Sequence, residues 1–170
     1  ENYKAQAPQL RDAGVSAHTT RLAQFMRDDN AALEASQLWV ELEPTQLEAQ
    51  LTLANLLARQ GRGPEALPHM LALERAGGTA NFSALAHGFR QLPPAQQEAL
   101  FSGVIELRKE FPESTQAMIC QALLLEDMGQ TKAALNELED VFTIDPSQLQ
   151  AIVLEVKLRQ DLKQSDGLYD

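Results

Sequence analysis

The side chains that could perform catalysis or hold a metal ion are scattered along this sequence. The histidines, His18, His69 and His87, have no partner at a spacing typical of metal ligands. His69 and His87 could meet across one turn, but we interpret all three as lying at the solvent edge. Cys120, the one cysteine, lies in the apolar run MICQALLL without a basic neighbour to activate it, so we predict a small core residue.

The remaining candidate motifs also have structural explanations. The segment GRGP that begins at Gly61 follows a predicted helix rather than a strand, which is the wrong context for a phosphate-binding loop. The acidic run at Glu137, Glu139 and Asp140 is typical of a solvated helix face. Because catalysis needs convergent groups and the sequence suggests none, we predict no enzymatic activity, no metal site and no cofactor.

Charge and composition exclude two classes of partner. The 14 basic residues are dispersed and the formal net charge is −10, whereas phosphate contacts need clustered Lys and Arg. We therefore predict no nucleic-acid partner and no binding to anionic membrane surfaces. The sequence has no apolar run of about 20 residues, so we also expect no membrane insertion by this segment. The chain lacks an initiator Met, and we expect a piece of a longer protein.

The stretch between Pro112 and Pro146 has the pattern of two helices. Apolar residues recur every three or four positions up to Met128, Gly129 is suited to end the first helix, and Thr131 is predicted to cap the second. Pro146 ends the unit because proline has no amide hydrogen. The two prolines are 34 residues apart, so we predict an antiparallel helix pair of that length.

The same period of 34 residues recurs along the chain. One period before Pro112 lies Gly78, and one period before that lies Pro44, so helix breakers recur at the unit boundaries. Several sets of small or apolar residues are in phase with them: Ala32, Ala66, Leu100 and Ala134; Ala54, Gly88 and Ala122; Met70, Val104 and Leu138; Trp39, Leu73, Leu107 and Val141. An internal repeat of this length predicts a solenoid of helix pairs.

The unit length, the small residues of these sets and the segment AALNELEDVFTIDP resemble the tetratricopeptide repeat (TPR) family over roughly residues 15 to 162. Gln50 and Ala84 depart from the family pattern at a place where a large residue is common, and Pro93 and Pro94 disturb the third unit. The resemblance implies an all-α fold, namely a right-handed α-solenoid of antiparallel helix pairs with about ten helices.

We expect three regions along the chain. Residues 1-14 are predicted to form an N-terminal helix that ends at Gly14, residues 15-164 a solenoid of about four repeats with a terminal helix, and residues 165-170 a frayed tail. Asp28 or Asp29 is predicted to cap the helix that follows it. Before the paired prolines, we predict one helix from Asn81 to Leu92.

By the same resemblance, the first helix of each pair lines a concave surface used for binding. The residues placed there are Leu51, Asn55, Arg59, Phe82, Leu85, Phe89, Ile119, Leu123 and Glu126, with Lys157 on the same face of the last helix. We predict a non-catalytic scaffold or adaptor that binds a protein or peptide partner through this face. An apolar or amphipathic segment fits better than a terminal carboxylate, because Lys is scarce there. For the apolar members, the alternative is a place in the core between helices.

A second hypothesis keeps the fold but not the groove. The segment would be a structural or self-assembling part of a longer TPR protein, and its apolar face, including Ile152, Val156 and Leu158, would be covered by neighbouring repeats or a second copy. The segment RLAQFMRDDNAALEASQLWVELEP is also similar to lipid-anchored TPR proteins of Gram-negative envelopes, some of which are adaptors for periplasmic proteases that process C-termini. That similarity implies a place on the periplasmic side of the envelope.

Overall fold

The computed structural model describes residues 13–25 and 27–167, so residues 1–12 of the predicted N-terminal helix lie outside it. The described residues form helices and turns, and no strand occurs among them. By their internal contacts they divide into two compact units, Glu1–Asn81 and Phe82–Asp170. The prediction of one solenoid over residues 15–164 stays a prediction.

The described part of unit 1 contains four helices: α1 (Ala13–Phe25), α2 (Asp29–Leu42), α3 (Leu47–Arg59) and α4 (Gly63–Arg75). Each helix packs against the next one along the chain. The connections have three or four residues, and such short turns make neighbouring helices antiparallel. Ala17, Trp39 and Ala49 form one buried cluster of this unit, in which the small residues allow the helices to approach the Trp39 ring.

Unit 2 begins with two short 3-10 helices, Phe82–Ala86 and Phe89–Gln91, and continues with α5 (Pro94–Glu110), α6 (Thr115–Asp127), α7 (Thr131–Ile144) and α8 (Leu149–Gly167). The central element is α6, which contacts both 3-10 helices as well as α5, α7 and α8. Its hydrophobic residues enter a core cluster with those of α7 and α8. An α6 helix that is apolar on several sides is suited to this place.

The 34-residue sets identify the buried positions correctly. Every member except Gly88 is at most 3% exposed, and the alanines among them have no exposed surface. Side chains that recur at this period thus face the core wherever the helix pairs repeat. Gly129, which is predicted to end a helix, and Gly61, two repeat periods earlier, have φ angles of 77° and 74° in the left-handed region that glycine adopts easily.

The predicted helix from Asn81 to Leu92 is wrong. Gly88 lies in the same set as the mid-helix residues Ala54 and Ala122, yet its φ angle is 74°, and this left-handed residue separates the two 3-10 helices. Leu92 is extended, as expected of a residue before proline. A glycine and a proline pair therefore replace a full first helix by two short turns.

One further local prediction is confirmed and another is wrong. Asp28 caps α2, since its side chain accepts a hydrogen bond from the Ala31 amide at 3.0 Å. Thr131 begins α7 but does not cap it, and Gln130 at the cap makes no side-chain bond. Gly14 lies inside α1, and the predicted N-terminal helix of residues 1-14 stays a prediction because residues 1–12 lie outside the described part of the chain.

The last helix is longer than predicted. α8 continues to Gly167, three residues into the segment expected to be frayed. Among the described residues, the helices are too short or too polar for any of them to cross a lipid bilayer.

Candidate functional site

A cavity of about 480 Å³ opens in unit 2 beside the C-terminal end of α6. Leu123, Glu126 and Asp127 of α6 line it, because residues three and four apart share one face of a helix. Lys157 of α8 and the two 3-10 helices around Gly88 complete the wall. The left-handed turn at Gly88 thus brings short backbone segments to the cavity in place of a regular helix. We call this space the unit 2 cavity.

Two ion pairs connect the walls of the unit 2 cavity. The Lys157 ammonium lies 2.6 Å from Glu126 Oε1, and the Arg90 guanidinium Nε lies 3.1 Å from Asp127 Oδ1. In each pair the acidic side chain is well buried, with 10% exposure for Glu126 and 21% for Asp127, whereas the basic side chain is more than half exposed. The carboxylates belong to the wall, and the cations extend over it into solvent.

Burial shapes the chemistry of both carboxylates. Loss of hydration raises the pKa of Asp127, and the neighbouring Glu126 charge adds to the rise, while the Arg90 charge and hydrogen bond oppose it. Glu126 uses only one of its oxygens: Oε2 is buried and, in the described part of the chain, has no hydrogen-bond partner. The site therefore has acceptor capacity that its own cations leave unused.

Four of the residues predicted to line a binding face have little or no exposed surface. Phe82, Leu85 and Ile119 have none, and Phe89, which borders the cavity, is 3% exposed. The 3-10 helices press against α6, and the Phe82 ring stacks on Phe111 with 6.3 Å between the centroids. These apolar residues lie in the core between helices, which is the predicted alternative.

The other five predicted residues keep exposed surface. In unit 2, Leu123 and Glu126 line the cavity. In unit 1, Leu51, Asn55 and Arg59 follow one another at intervals of four along α3, which places them on one face of that helix. Leu51 is 36% exposed. Arg59 forms an exposed ion pair of 3.3 Å with Asp29.

A comparison with known proteins supports the prediction of an internal repeat. A curated relative, the TPR repeat-containing protein PA4667 of Pseudomonas aeruginosa, is 33% identical to this chain over 165 residues. The match covers 97% of this chain but only 28% of the relative, so the chain spans a minor part of that protein's length. The resemblance to the TPR family is confirmed. No model of a known protein family matches the chain.

One solved structure shares the helical fold of this chain over most of its length. The crystal structure of MamA protein has a TM-score of 0.57 and 14% identity, with 91% of this chain and 85% of that chain covered. The crystal structure of YrrB, described as a TPR protein with an unusual peptide-binding site, has a TM-score of 0.49 and 17% identity, with 96% and 84% covered. The predicted all-α class of helix pairs is confirmed. The similarity to lipid-anchored envelope adaptors stays a prediction.

Two cavity residues of this TPR fold escaped the sequence analysis. Arg90 and Asp127 are 37 residues apart, and Glu126 and Lys157 are 31 apart, so neither ion pair follows the 34-residue period. The family pattern placed Glu126 and Lys157 on one surface without pairing them. It offered no signal for Arg90, which reaches the cavity only because the first helix of its repeat is broken at Gly88.

Two of the side chains considered for catalysis, Cys120 and His69, are buried or partly buried in this fold. Cys120 is fully buried, as predicted, and burial raises the pKa of its thiol to about 12, which keeps it protonated. His69 Nδ1 lies 2.9 Å from Gln50 Oε1, and burial lowers the pKa of its imidazole. Within residues 13–25 and 27–167, no three His, Cys, Asp or Glu side chains are grouped to hold a metal ion.

Proposed function

We propose that this chain is a non-catalytic TPR scaffold or adaptor whose unit 2 cavity holds a segment of a protein or peptide partner. The observation that supports this most directly is the cavity itself, a space of about 480 Å³ whose lining includes two carboxylates, a lysine, an arginine and a histidine. A rigid helical frame with a few polar groups is suited to orient a peptide. On α3 of unit 1, Leu51, Asn55 and Arg59 remain proposed as a further contact.

Site-specific photo-crosslinking tests this proposal. A photoreactive amino acid replaces Arg90, which is exposed beside the cavity, in the full-length protein that contains this segment, expressed in its own host. A second variant carries the same group at Leu51. We expect a defined protein to be crosslinked from Arg90, to be identified by mass spectrometry, and to bind the purified chain directly.

The control carries the crosslinker at Glu139, an exposed residue of α7 outside the cavity. Crosslinks that are equally abundant from Glu139 and Arg90 would remove the cavity from the proposal. If the crosslinker at Arg90 captures no protein while Leu51 does, the partner surface lies in unit 1 instead.

One observation favours the alternative, a structural part of a longer assembly. On α8, Ile152, Val153 and Val156 are 38%, 62% and 53% exposed. The residues one period earlier on α6, Met118, Ile119 and Ala122, are at most 2% exposed because α7 and α8 pack against them. The apolar residues of α8 are thus exposed at positions that are buried on α6. A neighbouring repeat or a second copy of the chain would bury them.

Cysteine labelling distinguishes a neighbouring repeat from a second copy of the chain. Because Cys120 is buried, a Val153→Cys variant offers one accessible thiol. Rapid labelling in this chain and slow labelling in a longer protein that contains it would indicate a neighbouring repeat. A second copy predicts labelling that slows as the concentration of this chain rises, together with a dimer in sedimentation velocity. Fast labelling under all conditions would contradict burial of this face by either partner.

We also propose a place on the periplasmic side of a Gram-negative envelope. The support is the similarity of the segment that begins at Arg21 and ends at Pro44 to lipid-anchored TPR proteins. Fractionation of host cells tests it: the protein should resist protease in intact cells and become sensitive when the outer membrane is opened. Recovery with cytoplasmic markers would contradict it.

A further inference from the structure

In the unit 2 cavity the acidic side chains are buried in the wall, whereas the basic side chains extend into solvent. Glu126 and Asp127 are 10% and 21% exposed, whereas Lys157 and Arg90 are 60% and 64% exposed. The carboxylates are attached by short side chains to α6, which core packing holds on several sides. Long basic side chains that extend into solvent can change rotamer at little cost. An incoming group therefore meets anions that stay and cations that can move aside.

One carboxylate oxygen of Glu126 accepts no hydrogen bond from the described residues of the protein. Its Oε1 accepts from Lys157 Nζ at 2.6 Å, while Oε2 is buried and has no hydrogen-bond partner in the described structure. A buried acceptor without a donor is unfavourable, and a ligand that supplies the donor gains that energy. A guanidinium presents two parallel N–H groups that match both oxygens of one carboxylate, which an ammonium does not.

The charges around the cavity are consistent with a cationic occupant. The hydrogen bond to Glu126 is the main cause that raises the pKa of Lys157, and the charge of Asp161 also raises it. A displaced Lys157 ammonium therefore has another carboxylate within electrostatic reach. The pKa of Asp127 is raised chiefly by burial, which a further positive charge nearby would counter. A carboxylate entering the cavity would instead approach two buried anions.

We propose that the unit 2 cavity binds an arginine side chain of the partner, whose guanidinium replaces the Lys157 ammonium on Glu126 and spans both carboxylate oxygens. This rests on the proposed function, because the arginine belongs to the bound segment. The proposal gives that segment a chemical identity: it carries an arginine where it crosses the end of α6. A terminal carboxylate bound at this position would contradict the proposal.

NMR titration of the purified 170-residue chain tests the pocket without a known partner. The probes are Nα-acetyl-arginine amide, its neutral isostere Nα-acetyl-citrulline amide, and Nα-acetyl-glutamate amide. We expect the arginine probe to shift the amide signals of Gly88, Leu123 and Asp127 in a saturable way. The citrulline and glutamate probes should leave those signals unchanged at the same concentration.

Three variants test the assignment of roles. Glu126→Gln should weaken arginine binding by about tenfold or more, because it removes charge-assisted hydrogen bonds. Glu139→Gln removes the same charge from an exposed site outside the cavity and should leave binding unchanged. Lys157→Gln should strengthen binding of the arginine probe, because it removes the internal competitor for Glu126. A thermal melt of each variant checks that it is folded.

The sign of the Lys157→Gln effect decides between a cation site and an anion site. Binding of the glutamate probe that Lys157→Gln abolishes would overturn the proposal, as would equal binding of arginine and citrulline. Absence of local shifts in both the wild-type and Lys157→Gln chains would show a structural ion pair only. If Glu126→Gln unfolds, Lys157→Gln and the citrulline probe still decide. If a partner is crosslinked from Arg90 but the arginine probe does not bind, the proposed function is supported and the arginine site is contradicted.

Discussion

At the residue scale, small buried side chains set how closely the helices approach. Ala66 of α4 has no exposed surface and lies in the set with Ala32 and Ala134, which are equally buried. We expect Ala66→Leu to lower the free energy of unfolding by about 1–3 kcal/mol, because three extra carbons must enter a filled space. Chemical denaturation followed by circular dichroism measures this. Ala72→Leu on the exposed side of the same helix is the control, and equal stabilities of the two variants would contradict the register.

A second residue-scale prediction concerns pH. Gln50 donates to the Pro44 carbonyl at 2.8 Å and accepts from His69, so the Nδ1 atom of His69 carries the proton. Burial lowers the pKa of His69 below its ordinary value of 6.5 in the folded state. The unfolded chain therefore binds the extra proton at higher pH, and stability falls as pH decreases through 6.5 toward the folded pKa.

The measurement compares the denaturation midpoint of wild type and His69→Gln between pH 8 and pH 5, a range of about three units around the histidine pKa. We expect the wild type to lose more stability than His69→Gln over that range, with no difference between them in slope above neutral pH. His18→Gln, at an exposed site of the same unit, should behave like the wild type. Parallel curves for wild type and His69→Gln would show that His69 is not coupled to folding.

At the scale of elements, Arg108 of α5 forms ion pairs with Glu137 and Asp140 of α7. The Arg108 guanidinium lies 2.7 Å from Glu137, and the two side chains are 17% and 13% exposed. Arg108→Ala leaves Glu137 buried without its partner, so we expect a loss of about 2–3 kcal/mol in the free energy of unfolding. Lys109→Ala, which breaks an exposed pair with Glu106, should cost less than about 0.5 kcal/mol. Similar denaturation midpoints for the two variants would contradict this difference.

At the scale of the whole molecule, unit 2 is one of the two compact units of the chain. One of its core clusters takes its buried residues from α6, α7 and α8. Because repeat proteins are stabilised by contacts between neighbouring elements, we expect a fragment of residues 82–170 to be helical and to melt cooperatively. A fragment of residues 82–144 lacks Ala151, Leu154 and Leu158 and should melt at lower temperature. An unfolded 82–170 fragment would contradict the assignment of this core.

Repetition in the sequence determined the helix pairs and their buried faces. The 34-residue sets predicted core positions from Ala32 to Val141, because each helix pair must bury the same side against its neighbours. The tertiary structure decided what happens where the repeat is broken. Whether Gly88 continues a helix or turns left-handed depends on packing against α6, and Phe82, Leu85 and Phe89 are drawn into the core with it.

The candidate site depended on tertiary structure for the same reason. Glu126 was found by its place in the repeat, but its pairing with Lys157 and the pairing of Asp127 with Arg90 join residues that lie out of phase with the period. A periodic pattern specifies the contacts that every repeat makes, because those are selected by burial of apolar surface. Polar contacts unique to one repeat leave no trace in that pattern, and only folding brings such side chains within hydrogen-bonding distance.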